Sequence, residues 1–465
     1  MGERPQTIRD LRRSGYTVLT VREELRKNLI AKLRAGEAIV DGILGYDDTV
    51  LPALENALLA GQDVIFLGER GQAKSRLIRS LPNLLDEEIP ILGEVEIPEN
   101  PYNPITREGR ALVEKYGDKA PIRWLHRDDR YSEKLATPDI SIADLIGEID
   151  PIKVAEGRYL ADEMTIHFGL IPRSNRGIFC MNELPDLAER IQVGLLNLME
   201  ERDIQIRGFR VRLPLDVLVV ASANPEDYTN RGRIITPLKD RYGAQVRTHY
   251  PETIETEVAI VRQERAPLNL DGLRITVPDY MEEVLAEVAR LARQSPDISQ
   301  RSGVSVRATI TAYESLVANA ARRAIHLGED HAVPRVTDLP AIHPAIMGKV
   351  ELETVDDAGS EPIIEKLIQN AVAAVFNRRF NVADLEETVA QFKTGLTAEV
   401  GEDMPVAAYR ELIDQIAGLA AGVTGLAADS APALRASAVE FVLEGLHLNK
   451  RLSRDRVGAH AQYRG

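Results

Sequence analysis

Apolar residues along this chain follow two rhythms. Short unbroken runs, Val64-Ile65-Phe66-Leu67, Gly177-Ile178-Phe179-Cys180-Met181 and residues 215–221, are bounded by glycine or polar residues and predict buried strands. Residues 246–250 predict a fourth. Apolar residues at helical spacing predict helices over 21–33, 49–59 and 187–201, the last through Ile191, Leu195, Leu198 and Met199. Strands alternating with helices imply a mostly parallel sheet covered on both faces. Ile204-Gln205-Ile206 and residues 209–213, flanking Arg207-Gly208, predict a short hairpin. From Pro251 onward the pattern is helical, clearest over 281–293 and 309–326. Asp356-Asp357-Ala358-Gly359-Ser360-Glu361 reads as a linker, followed by four amphipathic helices over 363–376, 382–392, 409–421 and 433–448. Residues 86–139 are rich in proline and charge with weak periodicity, which predicts an insertion with little regular structure. The basic, polar stretch 450–465 predicts a frayed tail.

Composition narrows the class. A chain of 465 residues suggests two to four domains. With 44% hydrophobic and 28% charged residues it has the make-up of a soluble globular protein. A net charge of −15 argues against general nucleic-acid binding, which needs a basic surface. Cys180 is the sole cysteine, so no intramolecular disulfide framework is possible, which fits a reducing compartment. No signal-peptide pattern opens the sequence, and no apolar run nears the roughly 20 residues of a membrane span. The expectation is a cytoplasmic protein.

The candidate chemistry begins at Gly68-Glu69-Arg70-Gly71-Gln72-Ala73-Lys74-Ser75. It follows the first buried run and precedes the helical residues 76–81, which is the strand–loop–helix context of a phosphate-binding loop. Glycines let the backbone wrap a phosphate, and the helix N-terminus adds its positive dipole end. Lys74 would reach the β- and γ-phosphates, and the Ser75 hydroxyl would ligate Mg²⁺. Ala73 stands where glycine usually precedes the lysine. Two further signals follow apolar runs: Asn182-Glu183, where Glu183 could polarise a water, and Asn224, where a strand ends in an amide able to sense a γ-phosphate.

Taken in order, the motifs resemble the AAA+ ATPases of the MoxR and magnesium-chelatase subunit I group over about residues 40–348. The matching pieces are Gly68 to Ser75, Asn182-Glu183, Asn224, Leu238-Lys239-Asp240-Arg241-Tyr242-Gly243 and Ser305-Val306-Arg307-Ala308. Segments 145–156 and 166–177 also resemble the chelatase subunit's helix-2 insertion and the approach to its Walker B strand. Alanine before the lysine is common in MoxR-type loops. The resemblance implies an α/β fold: an AAA+ core with a mostly parallel sheet flanked by helices, then an all-helical lid and a C-terminal helical region. It divides the chain into an N-terminal helical segment (1–38), the ATPase core (39–250, with insertions at about 86–139 and 140–170), a lid (251–348) and a C-terminal helical domain with a basic tail (349–465).

By the same resemblance Gly68, Glu69, Arg70, Gly71, Gln72, Ala73, Lys74 and Ser75 form the Walker A loop. Asn182 and Glu183 fall on the Walker B pair, Asn224 on sensor 1, Arg241 on an arginine finger acting in a neighbouring subunit, and Arg307 on sensor 2. Ile43, Leu44, Gly45 and Tyr46 line the adenine pocket. The implied cofactors are ATP and Mg²⁺, the latter held by Ser75 and Asn182. The implied assembly is a homo-oligomer, a hexamer as in the family, with a von Willebrand factor A domain protein as partner and remodelling or maturation of a client as the outcome. One departure stands out: the family has Asp where this chain has Asn182, which keeps an acceptor but loses a charge beside the metal and predicts slow hydrolysis. Two alternatives stay open. One is a chelatase subunit driving metal insertion into a porphyrin, against which stand the added helices after Asp357 and the lack of cysteines around residues 100–124. The other is a nucleotide-dependent scaffold with little hydrolysis. A σ54-type activator is disfavoured by the absence of a Gly-Ala-Phe-Thr-Gly-Ala loop.

Overall fold

The computed structural model describes residues 4–149, 165–201, 203–205, 212–224, 232–299, 303–352, 361–427, 431–457 and 460–465. The chain forms two compact units, Met1–His249 and Tyr250–Gly465.

In the first unit the strands are β1 (Val64–Leu67), β2 (Glu88–Leu92), β3 (Ile122–His126), β4 (Tyr131–Leu135), β5 (Gly147–Ile149), β6 (Ile166–Phe168), β7 (Gly177–Asn182), β8 (Asp203–Gln205), β9 (Arg212–Pro214), β10 (Val217–Ala223) and β11 (Ala244–Arg247). Five of them make the central sheet in the order β11-β1-β10-β7-β4, and every pairing in it is parallel. The unbroken apolar runs follow from burial on both faces. Ile65, Phe179, Val219 and Ala221 point into one core, while Val64, Phe66, Ile178, Leu218 and Val220 point into the other. The expected fourth strand starts two residues earlier than its apolar run, at Ala244, and Thr248 just beyond its end still donates its backbone N–H to Leu67 O of β1 at 2.8 Å.

The helix Val21–Ala35 carries a complete capping box, Thr20 with Glu23, and buries Val21, Leu25 and Leu29 against the sheet. Its Glu24 makes a buried two-pronged ion pair with Arg130 at 2.7 and 2.6 Å. The N-terminal helical segment is thus part of the first unit's core.

Residues 86–139 correct the expectation of little regular structure. They contain the antiparallel pair β2-β3, the helix Arg107–Tyr116 and β4, which is the edge strand of the central sheet. Periodicity failed there because β4 has a neighbour on one side only and none of its residues is fully buried. Trp124 on β3 lies edge-on to Tyr16 at 6.3 Å and donates to Pro5 O at 3.0 Å. The predicted helix 187–201 is two helices, Glu189–Gly194 and Leu196–Glu201. The predicted hairpin is present as β8-β9, while Arg207-Gly208 lies outside the described residues.

The second unit is built on the helices Asp279–Gln294, Val306–Leu327, Glu361–Arg379 and Pro432–Leu448. One core runs through it: Val284, Leu316 and Leu339 share a cluster with Phe376, Phe441 and Tyr463. The expected boundary between lid and C-terminal domain near residue 348 does not divide that core, and most of the expected linker lies outside the described residues. The tail is also corrected. With β12 (Arg274–Ile275) and β13 (His331–Ala332) forming a small parallel pair, the strands β14 (Thr397–Gly401), β15 (Ser453–Val457) and β16 (His460–Arg464) make an antiparallel sheet in the order β14-β16-β15. Tyr463 is buried there and donates to Glu444 Oε2 at 2.6 Å. Among the described residues no helix is long and apolar enough to cross a membrane.

Candidate functional site

The parallel sheet brings the C-terminal ends of β1, β7 and β10 to one edge, where open α/β sheets bind their ligands. The loop 68–73 leaves β1 there and enters the helix Lys74–Ser80. Gly68 N donates to Ala223 O at 3.1 Å, tying the loop to the end of β10. A Cβ on Gly68 would lie 1.9 Å from Thr248 Oγ1 and 2.3 Å from Gln72 Oε1, so only glycine fits. Gly71 has φ +78° and Ala73 φ +53°, both left-handed. The position before the lysine therefore has the backbone shape of the glycine usually found there, with a methyl group added.

Gln72 is the loop's internal brace. Its side chain is 6% exposed, and its Oε1 accepts from Glu69 N at 3.0 Å and from Thr248 Oγ1 at 2.9 Å. Its carbonyl lies 2.9 Å from the Tyr46 hydroxyl, which is also 2.8 Å from His249 O. Burial pushes the Tyr46 phenol up to about 12, so it stays a neutral donor. Lys74 is 8% exposed, and its ammonium donates to Gly68 O and, at 2.7 Å, to Glu69 O. A buried cation is thus held inside the turn of the loop. Ser75 is exposed on the first helical turn.

Across the sheet, Asn182 ends β7. Its Oδ1 accepts from Ser222 Oγ at 3.1 Å, and its Nδ2 donates to Glu133 Oε1 on β4. Glu133 also accepts from Arg79 Nε and Nη2, both at 2.9 Å, and from the Tyr131 hydroxyl at 2.9 Å. The Arg79 guanidinium holds the Glu133 carboxyl below its ordinary value, against burial and with help from the Tyr131 and Asn182 donors. Sequence reasoning missed Glu133, since β4 carries no clear strand pattern, and gave Arg79 no role beyond its place in the predicted helix. Arg79 lies one helical turn beyond Ser75, the i,i+4 relation that puts both on one face. Cys180 lies beneath, its thiol pushed up to about 12 by burial and then by Glu133, and so is no nucleophile.

Glu183 has φ +52° and ψ +48°, a left-handed conformation rare for a residue with a side chain, and its N–H donates to Ser222 Oγ at 3.2 Å. Asn224, 2% exposed, follows β10 directly beside the start of the loop. Tyr46 packs under the loop while Leu44 is exposed, and Gly45 at φ +78° makes the turn between them. Ile43 is partly buried against the same core. Arg241 ends the helix Thr236–Arg241 and is joined to Glu200, with Nη1 donating to Pro237 O at 2.7 Å. Arg307 belongs to the second unit. It stands exposed on the first turn of the helix Val306–Leu327, with its N–H capped by Ser305 Oγ at 3.1 Å.

The side-chain oxygens named at this end of the sheet and on the helix that follows the loop, the Ser75 hydroxyl, the Asn182 amide and the Glu133 carboxylate, are hard donors. This set suits Mg²⁺ carried with a polyphosphate rather than a softer metal. Among the described residues no group of three or more His, Cys, Asp or Glu side chains could hold a metal by itself.

No family profile matches the chain. It is 24% identical over 350 residues to the magnesium-chelatase 38 kDa subunit of Rhodobacter capsulatus, covering 71% of this chain and 93% of that one. It is 26% identical over 231 residues to the magnesium-chelatase subunit ChlI of a Nostoc species, and 27% identical over 254 residues to the chloroplast ChlI of rice. The chain spans only 57% and 55% of the length of these last two. Among solved structures it is similar to a complex of BchI and BchD of magnesium chelatase (19% identity, TM-score 0.35, 70% of this chain and 97% of that one). It is also similar to an ATPase from Cytophaga hutchinsonii (16% identity, TM-score 0.31, 75% and 96%).

Proposed function

We propose, for a chain that is an AAA+ ATPase of the MoxR and magnesium-chelatase subunit I group, that the loop 68–75 binds the phosphates of ATP and that hydrolysis drives the remodelling of a partner protein. The observation that carries this reading is the buried Lys74 ammonium held inside a loop with two left-handed residues, Gly71 and Ala73, that joins a parallel strand to a helix. Ser75 and the Asn182 amide would hold Mg²⁺, which would supply charge neutralisation to the phosphates. Glu183 would accept the proton of the attacking water. Its strained backbone is supportive, since strain of about 1–3 kcal/mol persists where surrounding structure enforces it, often at functional sites. Asn224 would orient that water. Arg307 as a γ-phosphate sensor is supported by its placement: a cation in the first turn opposes the helix dipole, so local stability does not favour it there. Arg241 would serve a neighbouring copy in a ring, a hexamer in the family.

The partner is proposed to carry a von Willebrand factor A domain. A second reading, a chelatase-type subunit driving metal insertion into a porphyrin, is favoured by the names of the curated relatives. Equilibrium binding of a fluorescent ATP analogue and phosphate release test the first step. Lys74→Ala should abolish binding, and Glu183→Gln should bind but not turn over. Wild-type protein as silent in phosphate release as Glu183→Gln would overturn hydrolysis. Proteins captured by the ATP-loaded Glu183→Gln variant would then separate a porphyrin-binding subunit from another client.

A further inference from the structure

The carboxylate that the Walker B strand lacks stands one strand away. Asn182 donates its Nδ2 to Glu133 on β4, the strand that pairs with β7, in the register Glu133 opposite Cys180 and Leu135 opposite Asn182. An ionised carboxylate can only accept, so the Asn182 atom facing it is the amide nitrogen. Its Oδ1 is thereby turned the other way, toward Ser222. Glu133 is fixed in turn by both prongs of Arg79 and by Tyr131. Arg79 sits about one turn, roughly 6 Å, along the helix from Ser75. The Arg79 side chain is 64% exposed and that of Glu133 only 20%, so solvent screens the cation more than the anion.

We propose that Glu133 is a positioning residue for the nucleotide site, supplying from β4, through the Asn182 amide, the negative charge that an aspartate at position 182 would carry. The inference rests on the Mg²⁺–nucleotide reading above. A carboxylate hydrogen-bonded to one end of an amide polarises the oxygen at the other end, strengthening Oδ1 as an acceptor beside the metal. Asn182 and Glu133 then form a matched pair. Aspartate at 182 with Glu133 unchanged would set two acceptor-only groups face to face at hydrogen-bonding distance, and they would repel.

The test is an exchange. Asn182→Asp, Glu133→Gln and the double variant are compared with wild type by titrating a fluorescent ADP analogue with Mg²⁺ and with EDTA, and by thermal melts of each. Wild type should bind more tightly with Mg²⁺. Each single variant should lose about tenfold of that gain, a size typical of directly coupled residues, and the double variant should recover most of it. Asn182→Asp alone should also melt below the double variant. The expectation is sharp because Asn182→Asp restores the family's own residue. If Asn182→Asp alone matches or exceeds the double variant in Mg²⁺-dependent affinity, the pairing is wrong while the nucleotide reading stands. Wild type indifferent to Mg²⁺ would overturn the metal reading and this inference together.

Discussion

At the level of single residues, the candidate loop 68–75 was picked out from sequence down to Lys74 and Ser75, but its strain was not. Ala73 holds φ +53° and ψ +15°, where a Cβ costs roughly 1–2 kcal/mol. Glycine would remove that cost and return part of it through a more flexible unfolded chain. Ala73→Gly should therefore stabilise the protein by about 0.5–1 kcal/mol, read as a raised midpoint in denaturant unfolding. A lowered midpoint would mean that the methyl group, partly buried against the core of this face, contributes more through packing than it costs in strain. Gln72 was named from sequence only as a member of the loop; its bracing contacts, like Glu133 altogether, escaped sequence reasoning for one reason. Each acts through a partner distant in the chain, Thr248 for Gln72 and Asn182 for Glu133, and no local pattern records such a pairing.

Among elements, the buried parallel strands were readable because both their faces are apolar, which leaves unbroken runs. The strands that sequence missed include the edge strand β4, which has one neighbour, and β15 and β16, which carry Arg454, Asp455, Arg456 and Arg464, so charge hid their pairing. The C-terminal hairpin is nonetheless anchored. Tyr463 is 2% exposed, joins the main core of the second unit and donates to Glu444. Tyr463→Ala should cost about 3–5 kcal/mol, the range for emptying a buried aromatic site, whereas a frayed tail would tolerate it. A second element-level expectation concerns acid. Glu287, on the helix Asp279–Gln294, is gripped by Arg290 of its own helix and by Arg378 of the helix Glu361–Arg379. Burial pulls its carboxyl up, but the two arginines outweigh burial and leave it below its ordinary value of 4.5. A lowered acid contributes stability above the unfolded-state value and loses it as pH falls through the folded one. The second unit should thus weaken below about pH 4.5, and Glu287→Gln should be less stable than wild type at neutral pH but show a flatter acid limb in unfolding scans. An unchanged acid slope in that variant would remove Glu287 from the account.

For the whole molecule, the switch to helical periodicity at residue 250 falls where the two compact units divide along the chain, while the shared core within residues 250–465 left no mark in the sequence, because it depends on packing that sequence spacing cannot show. The proposed ring adds a dependence between copies. Within one chain Arg241 is joined to Glu200 and, among the described residues, also donates to a carbonyl of its own helix. If it serves the nucleotide of a neighbour, a site needs Glu183 from one copy and Arg241 from the next. Glu183→Gln and Arg241→Ala should each bind nucleotide and each fail to turn over. Mixed together, they should regain activity, because some interfaces then join an intact Glu183 to an intact Arg241. With random mixing in equal amounts, about a quarter of the interfaces are of that kind, so phosphate release should approach roughly one quarter of wild type if sites fire independently, a trans arginine being worth about 10³–10⁵ in rate. A mixture as silent as its components, under conditions where light scattering shows the two variants co-assembled, would place Arg241 outside the neighbour's site. Glu200→Ala offers a complementary reading: freeing the guanidinium from its intrachain partner should raise turnover if the ion pair with Glu200 competes with the trans contact, and should leave turnover unchanged if Arg241 only braces its own helix.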